Sequence, residues 1–180
     1  MPELPESGRF GAGVTRVVLS LMLLAGCAHT GTGLPRRDAF VGTLPQDVVG
    51  AVPFDRAALS GNVVLVTFIA TWCFPCLADL ASLDNLERQF STKGFKQVLV
   101  GLDLEGRRVL EPFAAEYSLK YPLLVGDDRL RSGATPFGHI RELPARVLFD
   151  RSGEVIAAYS GVVAPAELER KVREAVEARQ

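Results

Sequence analysis

The sequence is short of several residue types at once. It holds three cysteines, two histidines, two methionines and one tryptophan in 180 residues. With His29 and His139 the only histidines, a four-ligand zinc site has little to draw on beyond the thiols. An excess of charge of either sign is also missing. Twenty Lys and Arg face 21 Asp and Glu, for a formal net charge of −1. No basic stripe stands out, so neither nucleic acid nor another polyanion is indicated as a partner. Internal repeats are lacking too. The apolar run from Val17 to Gly26 is well short of the roughly 20 residues that cross a bilayer. What remains is an ordinary globular composition, 48% apolar, enough to bury the core of one domain with a short extra segment.

Three is an odd number of cysteines, and Cys27 stands apart from the close pair Cys73 and Cys76. Arg9 and Arg16 precede the apolar run, which ends Leu24-Ala25-Gly26-Cys27. Positive charge followed by a short apolar run is the pattern of an export signal. The last four residues resemble the lipobox of bacterial lipoproteins. That resemblance implies cleavage before Cys27 and a lipid on its sulfur, with residues 1–26 as signal peptide. Several acyl chains hold a protein on a membrane where a single one binds marginally. Ala28 after the cysteine, rather than Asp, favours the outer membrane by the same resemblance. The Gly-, Thr- and Pro-rich stretch that follows lacks periodicity and is expected to be a flexible tether over residues 27–38. A domain over 39–180 would then face the periplasm.

Within that domain, residues 46–55 are expected to form a small β-hairpin around Gly50. Val63 to Ala70 is a continuous, β-branched apolar run, which predicts a strand buried on both faces. Leu77, Leu80, Leu83, Leu86 and Phe90 recur at helical spacing and predict a helix over 73–90. A second buried strand is expected over 95–102, a second helix over 107–119 and a short strand over 122–125. Residues 128–140 should be loop with a short helix. Two strands, 145–149 and 154–159, flank the turn Arg151-Ser152-Gly153. Pro165 suits the first turn of a closing helix. Strands alternating with helices point to an α/β layer fold, a central mixed sheet flanked by helices with an N-terminal hairpin extension.

Trp72-Cys73-Phe74-Pro75-Cys76 lies between a predicted buried strand and a predicted helix. Cys-x-x-Cys in that setting is a redox motif. The helix N-terminus presents unpaired N–H groups and the positive end of the macrodipole, which favour an anion at Cys73. Cys76 lies one turn on, within disulfide reach, and Pro75 costs nothing in a first turn. Three other roles compete for the pair. A structural bridge across two intervening residues constrains little chain entropy. A half zinc site lacks further ligands, and a thiol-based copper carrier using His139 calls for a different spacing.

The segment VVLVTFIATWCFPC (Val63 to Cys76) resembles the strand and active-site helix of the thioredoxin superfamily. FGHIRELPARVLFDRSGEVIAAYSG (Phe137 to Gly161) resembles its second half. Together with the lipobox and the additions at 46–55 and 103–125, they resemble the membrane-tethered bacterial group of the TlpA/ResA type. The resemblance implies a thioredoxin-like fold and a cis peptide bond at Leu143-Pro144, with the backbone of Leu143 pairing with bound substrate. Trp72 is expected as a lid over the sulfurs, with plain packing as the alternative, and Phe74, beside Pro75, is expected to tune potential and docking, with mere exposure as its alternative. The resemblance places an acidic residue at Asp79, usually Glu, that tunes the buried cysteine; a carboxylate stabilising the helix start is the plainer alternative. Two departures stand out. Thr67 occupies the place of the buried Asp of cytosolic thioredoxin, and Arg146 the place of an apolar residue. An arginine there is costly if buried unpaired, and is expected at the rim, where it would favour the Cys73 thiolate.

The activity so implied is thiol–disulfide exchange without cofactor other than the redox-active Cys73–Cys76 pair, and without metal. Cys73 attacks a substrate disulfide, Cys76 resolves the mixed disulfide, and Asp79 or a water it holds takes a proton. The implied partners are disulfide-containing envelope proteins, such as those of cytochrome c maturation or copper-site assembly. A membrane electron donor of the thiol-transporting type would restore the dithiol. A dithiol oxidase and the copper carrier are the alternatives.

Overall fold

The computed structural model describes residues 37–178. The expected signal peptide, Cys27 and most of the tether lie outside them. In chain order the elements are α1 (Arg37–Val41), β1 (Val48–Val49), β2 (Val63–Ile69), α2 (Phe74–Phe90), β3 (Phe95–Gly101), α3 (Arg107–Glu116), β4 (Leu123–Val125), α4 (Asp128–Arg131), β5 (Ala145–Phe149), β6 (Val155–Ser160) and α5 (Pro165–Glu177). The six strands form one mixed sheet in the order β1-β4-β3-β2-β5-β6.

β2 is buried along all seven residues, as its unbroken apolar run requires of a strand covered on both sides. It pairs in parallel with β3 and antiparallel with β5. Its alternate residues enter two separate cores. Val63, Leu65 and Ile69 join Leu80, Leu83, Leu86 and Phe90 of α2, Leu110 of α3, and Leu168 and Val172 of α5. Val64, Val66 and Phe68 join Phe40 and Val41 of α1 and Leu130 of α4 on the other face. On that second face the ring of Phe137 meets Phe68 and Phe40 edge-on, with centroids 4.9 and 5.1 Å apart. These contacts tie the loop that carries Pro144 to the central strand.

The expected hairpin at 46–55 is absent. Only Val48–Val49 is a strand, and its partner is β4, through Val48↔Leu124 and Val49↔Leu123. The physical reason is on both sides. Pro53 has no N–H for a returning strand, while β4 offers a free edge that parallel pairing with β3 leaves open. Residues 37 and 38, expected to belong to a flexible tether, are instead part of the folded domain. Arg37 and Asp38 begin α1, the Arg37 N–H donates to Gly153 O at 2.5 Å, and its buried guanidinium reaches Asn62 O. The other elements form where expected, within a few residues at their ends.

Candidate active site

The chain leaves the C-terminal end of β2 at Ala70 and enters α2 within four residues. Cys73 is the N-cap: its backbone is extended (φ −83°, ψ 94°) and its Sγ accepts the Cys76 N–H at 3.2 Å. A cap acceptor here satisfies one of the N–H groups a helix start leaves unpaired. Pro75 stands in the first turn, where no N–H is needed. Cys73 and Cys76 are joined in a disulfide, S–S 2.07 Å.

The loop before Cys73 is held from below by Asp103, which no local sequence signal marks. Its carboxylate accepts from the Thr71 hydroxyl at 2.6 Å and from the Thr71 N–H at 3.1 Å. Asp103 is 1% exposed and follows β3, so the two parallel strands are joined at the end that carries the cysteines. A hydrogen bond to a buried charge contributes about 1.5–3 kcal/mol. Asp103→Ala should therefore lower unfolding free energy by about 2 kcal/mol or more in urea titrations. The same change should also slow disulfide exchange, because Trp72 and Cys73 lose their footing.

The structure brings the expected site residues together. The Leu143–Pro144 bond is cis, as the resemblance implied. Trp72, Cys73, Phe74, Pro75, Arg141 and Leu143 line one open cleft of about 490 Å³. Trp72 is 69% and Phe74 81% exposed, whereas Cys76 is 1% exposed beneath them. Two large apolar side chains standing in solvent beside a reactive sulfur suit a surface that docks another chain. His139 is placed elsewhere: it is exposed, and its ring lies against Gly133 after α4. Among the described residues, no group of three or more His, Cys, Asp or Glu lies close enough to hold a metal ion.

Arg146 is not at the rim. It is 1% exposed, sits opposite Thr67 in the β2–β5 register, and its Nη2 is paired with Oδ2 of Asp79. The Asp79 side chain is itself 14% exposed. Burial draws the guanidinium down to about 10, opposed in part by the nearby Tyr159. It is still a cation at neutral pH. Asp79, one turn after Cys76, is thus engaged by a buried cation. The resemblance gave no sign of this partnership.

A single mixed sheet covered by helices on both faces, with Cys-x-x-Cys at the start of a helix and a cis-proline in the same site, defines a thioredoxin-superfamily protein. The chain belongs to the Redoxin family, whose model matches residues 43–176. Among curated relatives it is 26% identical over 164 residues to the thiol-disulfide oxidoreductase ResA of Geobacillus kaustophilus, covering 87% of this chain and 92% of that one. It is 27% identical over 111 residues to ResA of Bacillus cereus, covering 62% of each; several curated relatives are likewise matched over less than two thirds of their length. Among solved structures, a thioredoxin-family thiol:disulfide interchange protein from Chlorobium tepidum superposes with a TM-score of 0.61 at 25% identity. That match covers 74% of this chain and 96% of the other.

Proposed function

We propose that this chain is a thiol–disulfide oxidoreductase of the bacterial envelope that acts on protein disulfides, in the reducing direction. The observation that carries the reading is the setting of Cys73. It is the sulfur that caps a 17-residue helix, and it borders the cleft beside Pro144. The names of the relatives, ResA and a thiol:disulfide interchange protein, agree with it.

In this reading the two sulfurs divide the labour. In the reduced protein, the Cys73 thiolate attacks one sulfur of a substrate disulfide seated over Trp72 and Phe74. A mixed disulfide forms, and the other substrate sulfur leaves as a thiolate. Cys76 then attacks Cys73 Sγ from beneath, closing the internal disulfide and releasing the second substrate sulfur. As the resemblance implies, the backbone of Leu143, beside the cis bond, supports an extended substrate segment. The oxidised pair is returned to the dithiol by a membrane donor of the thiol-transporting type. The lipid on Cys27 holds the domain on the periplasmic side, and Ala28 directs it to the outer membrane. Envelope proteins with cytochrome c or copper-site cysteines are the substrates of this reading.

The test is reduction of insulin disulfides by the purified chain with a dithiol donor, together with its equilibrium potential against glutathione and its copper content. Turnover with a potential near that of thioredoxin, about −270 mV, supports the reductase. A potential near about −120 mV makes the protein an oxidase instead. Stoichiometric copper with no turnover makes it a carrier.

A further inference from the structure

Beneath α2, the polar side chains of Thr67, Arg146 and Asp79 come together. Thr67 Oγ1 and the Nε and Nη1 atoms of Arg146 have no hydrogen-bond partner among the described residues. Thr67 is 2% and Arg146 1% exposed. Cross-strand partners in an antiparallel ladder hold their side chains about 4.5–5.5 Å apart on one face, and Thr67 and Arg146 are such partners. Asp79 reaches the guanidinium from α2. Cys76 stands three residues before Asp79, one turn up the same face, and joins the same core as Leu65 and Ile69. A buried N–H left without an acceptor costs about 1–3 kcal/mol, so two on one guanidinium call for a reason. In the oxidised protein the Cys76 sulfur is tied into the disulfide. Only reduction makes it an anion able to accept.

We propose that Arg146 is a positioning residue for the resolving step: aimed by Asp79, its free N–H groups receive the negative charge of the Cys76 sulfur when the disulfide is open. This rests on the oxidoreductase reading and gives the departure at this position its task. In the mixed disulfide, the Cys76 thiolate supplies the electron pair that forms the Cys76–Cys73 bond. The bond between Cys73 and the substrate breaks, and the pair leaves on the substrate sulfur, which takes a proton from solvent. The Cys76 proton is lost to solvent beforehand, and the guanidinium stabilises the anion that remains. Asp79 is then the anchor of the cation rather than a proton acceptor. The charged and titratable groups on the elements packed about this site are Asp79 on α2, Arg146 on β5, Tyr159 across from it on β6, and on α5 Glu167, Arg170 and Glu174, which act on Tyr159. Of the two cations Arg146 is the buried one, while Arg170 is exposed and paired with Glu174.

The experiment is the pH titration of the single thiol in the full chain carrying Cys27→Ser and Cys73→Ser, read by thiolate absorbance. Adding Arg146→Met should raise the midpoint by about one pH unit or more. Adding Arg146→Lys should restore most of it. Adding Asp79→Asn should lower it, since the anion that competes for the guanidinium is gone. Opposite signs from the two partners are not what a merely structural pair would give. If Arg146→Met does not fold, the double variant Asp79→Leu/Arg146→Met keeps the interior neutral and should again raise the midpoint. With Cys73 intact, Arg146→Met should accumulate mixed disulfide during turnover. A midpoint unmoved in every variant, or moved the same way by both partners, overturns the proposal. Insulin reduction by the Cys27→Ser chain, measured alongside, separates that result from failure of the oxidoreductase reading itself.

Discussion

Replacing Cys73 by serine should lower insulin-disulfide reduction on the order of 10³-fold or more, to the level of the dithiol donor alone. The reason is positional. Cys73 is the sulfur that lines the cleft, and a serine hydroxyl at the same cap cannot form a disulfide. Replacing Cys76 should have a different consequence of similar size. The first attack still occurs from Cys73, but nothing resolves it, so a covalent complex with the substrate should persist on a non-reducing gel. The contrast between the two variants is the decisive part. Equal loss without any trapped complex in Cys76→Ser would mean that the sulfurs do not act in sequence, and the assignment of attack to the outer one would fall.

The second large effect concerns stability. Removing one partner of a buried ion pair typically costs about 3–5 kcal/mol, because the other charge is left uncompensated. Removing both for apolar groups is often neutral. Asp79→Leu and Arg146→Met should each shift the urea midpoint down by that order. The double variant Asp79→Leu/Arg146→Met should recover most of the loss. Such a result would identify the pair as a site kept for something other than stability. Simple addition of the two losses would instead mean that the residues are not partners in solution, contrary to their contact in the structure.

The legible parts of this protein were those whose signal is local. β2 announced itself through an uninterrupted β-branched run, α2 through leucines at helical spacing, and the redox pair through its place between the two. The cis bond before Pro144 came from resemblance, not from any physical pattern in the residues around it. What sequence reasoning missed depends on neighbours far along the chain. The segment 46–55 carries two short apolar pieces around a glycine, which suggests a hairpin. Its single strand instead finds a partner at Leu123 and Leu124. Asp103 looked like any polar residue after a strand; its role comes from Thr71, 32 residues away. Arg146 did leave a signal. It shares a strand face with Leu148, which is fully buried, so alternation places it inside. A buried guanidinium must then find an anion, and Asp79 lies on the sheet-facing side of α2. Reading the alternation of 145–149 to its end would have predicted the pair.

The whole scheme depends on how readily one sulfur gives up its proton. The direct measurement is a thiolate titration of Cys73 in the reduced chain carrying Cys27→Ser and Cys76→Ser. A midpoint clearly below the value of about 8.5 for a free thiol, within the range of about 3.5–7.5 found for activated cysteines at helix starts, is the expected result. A midpoint at or above that of a free thiol would contradict it.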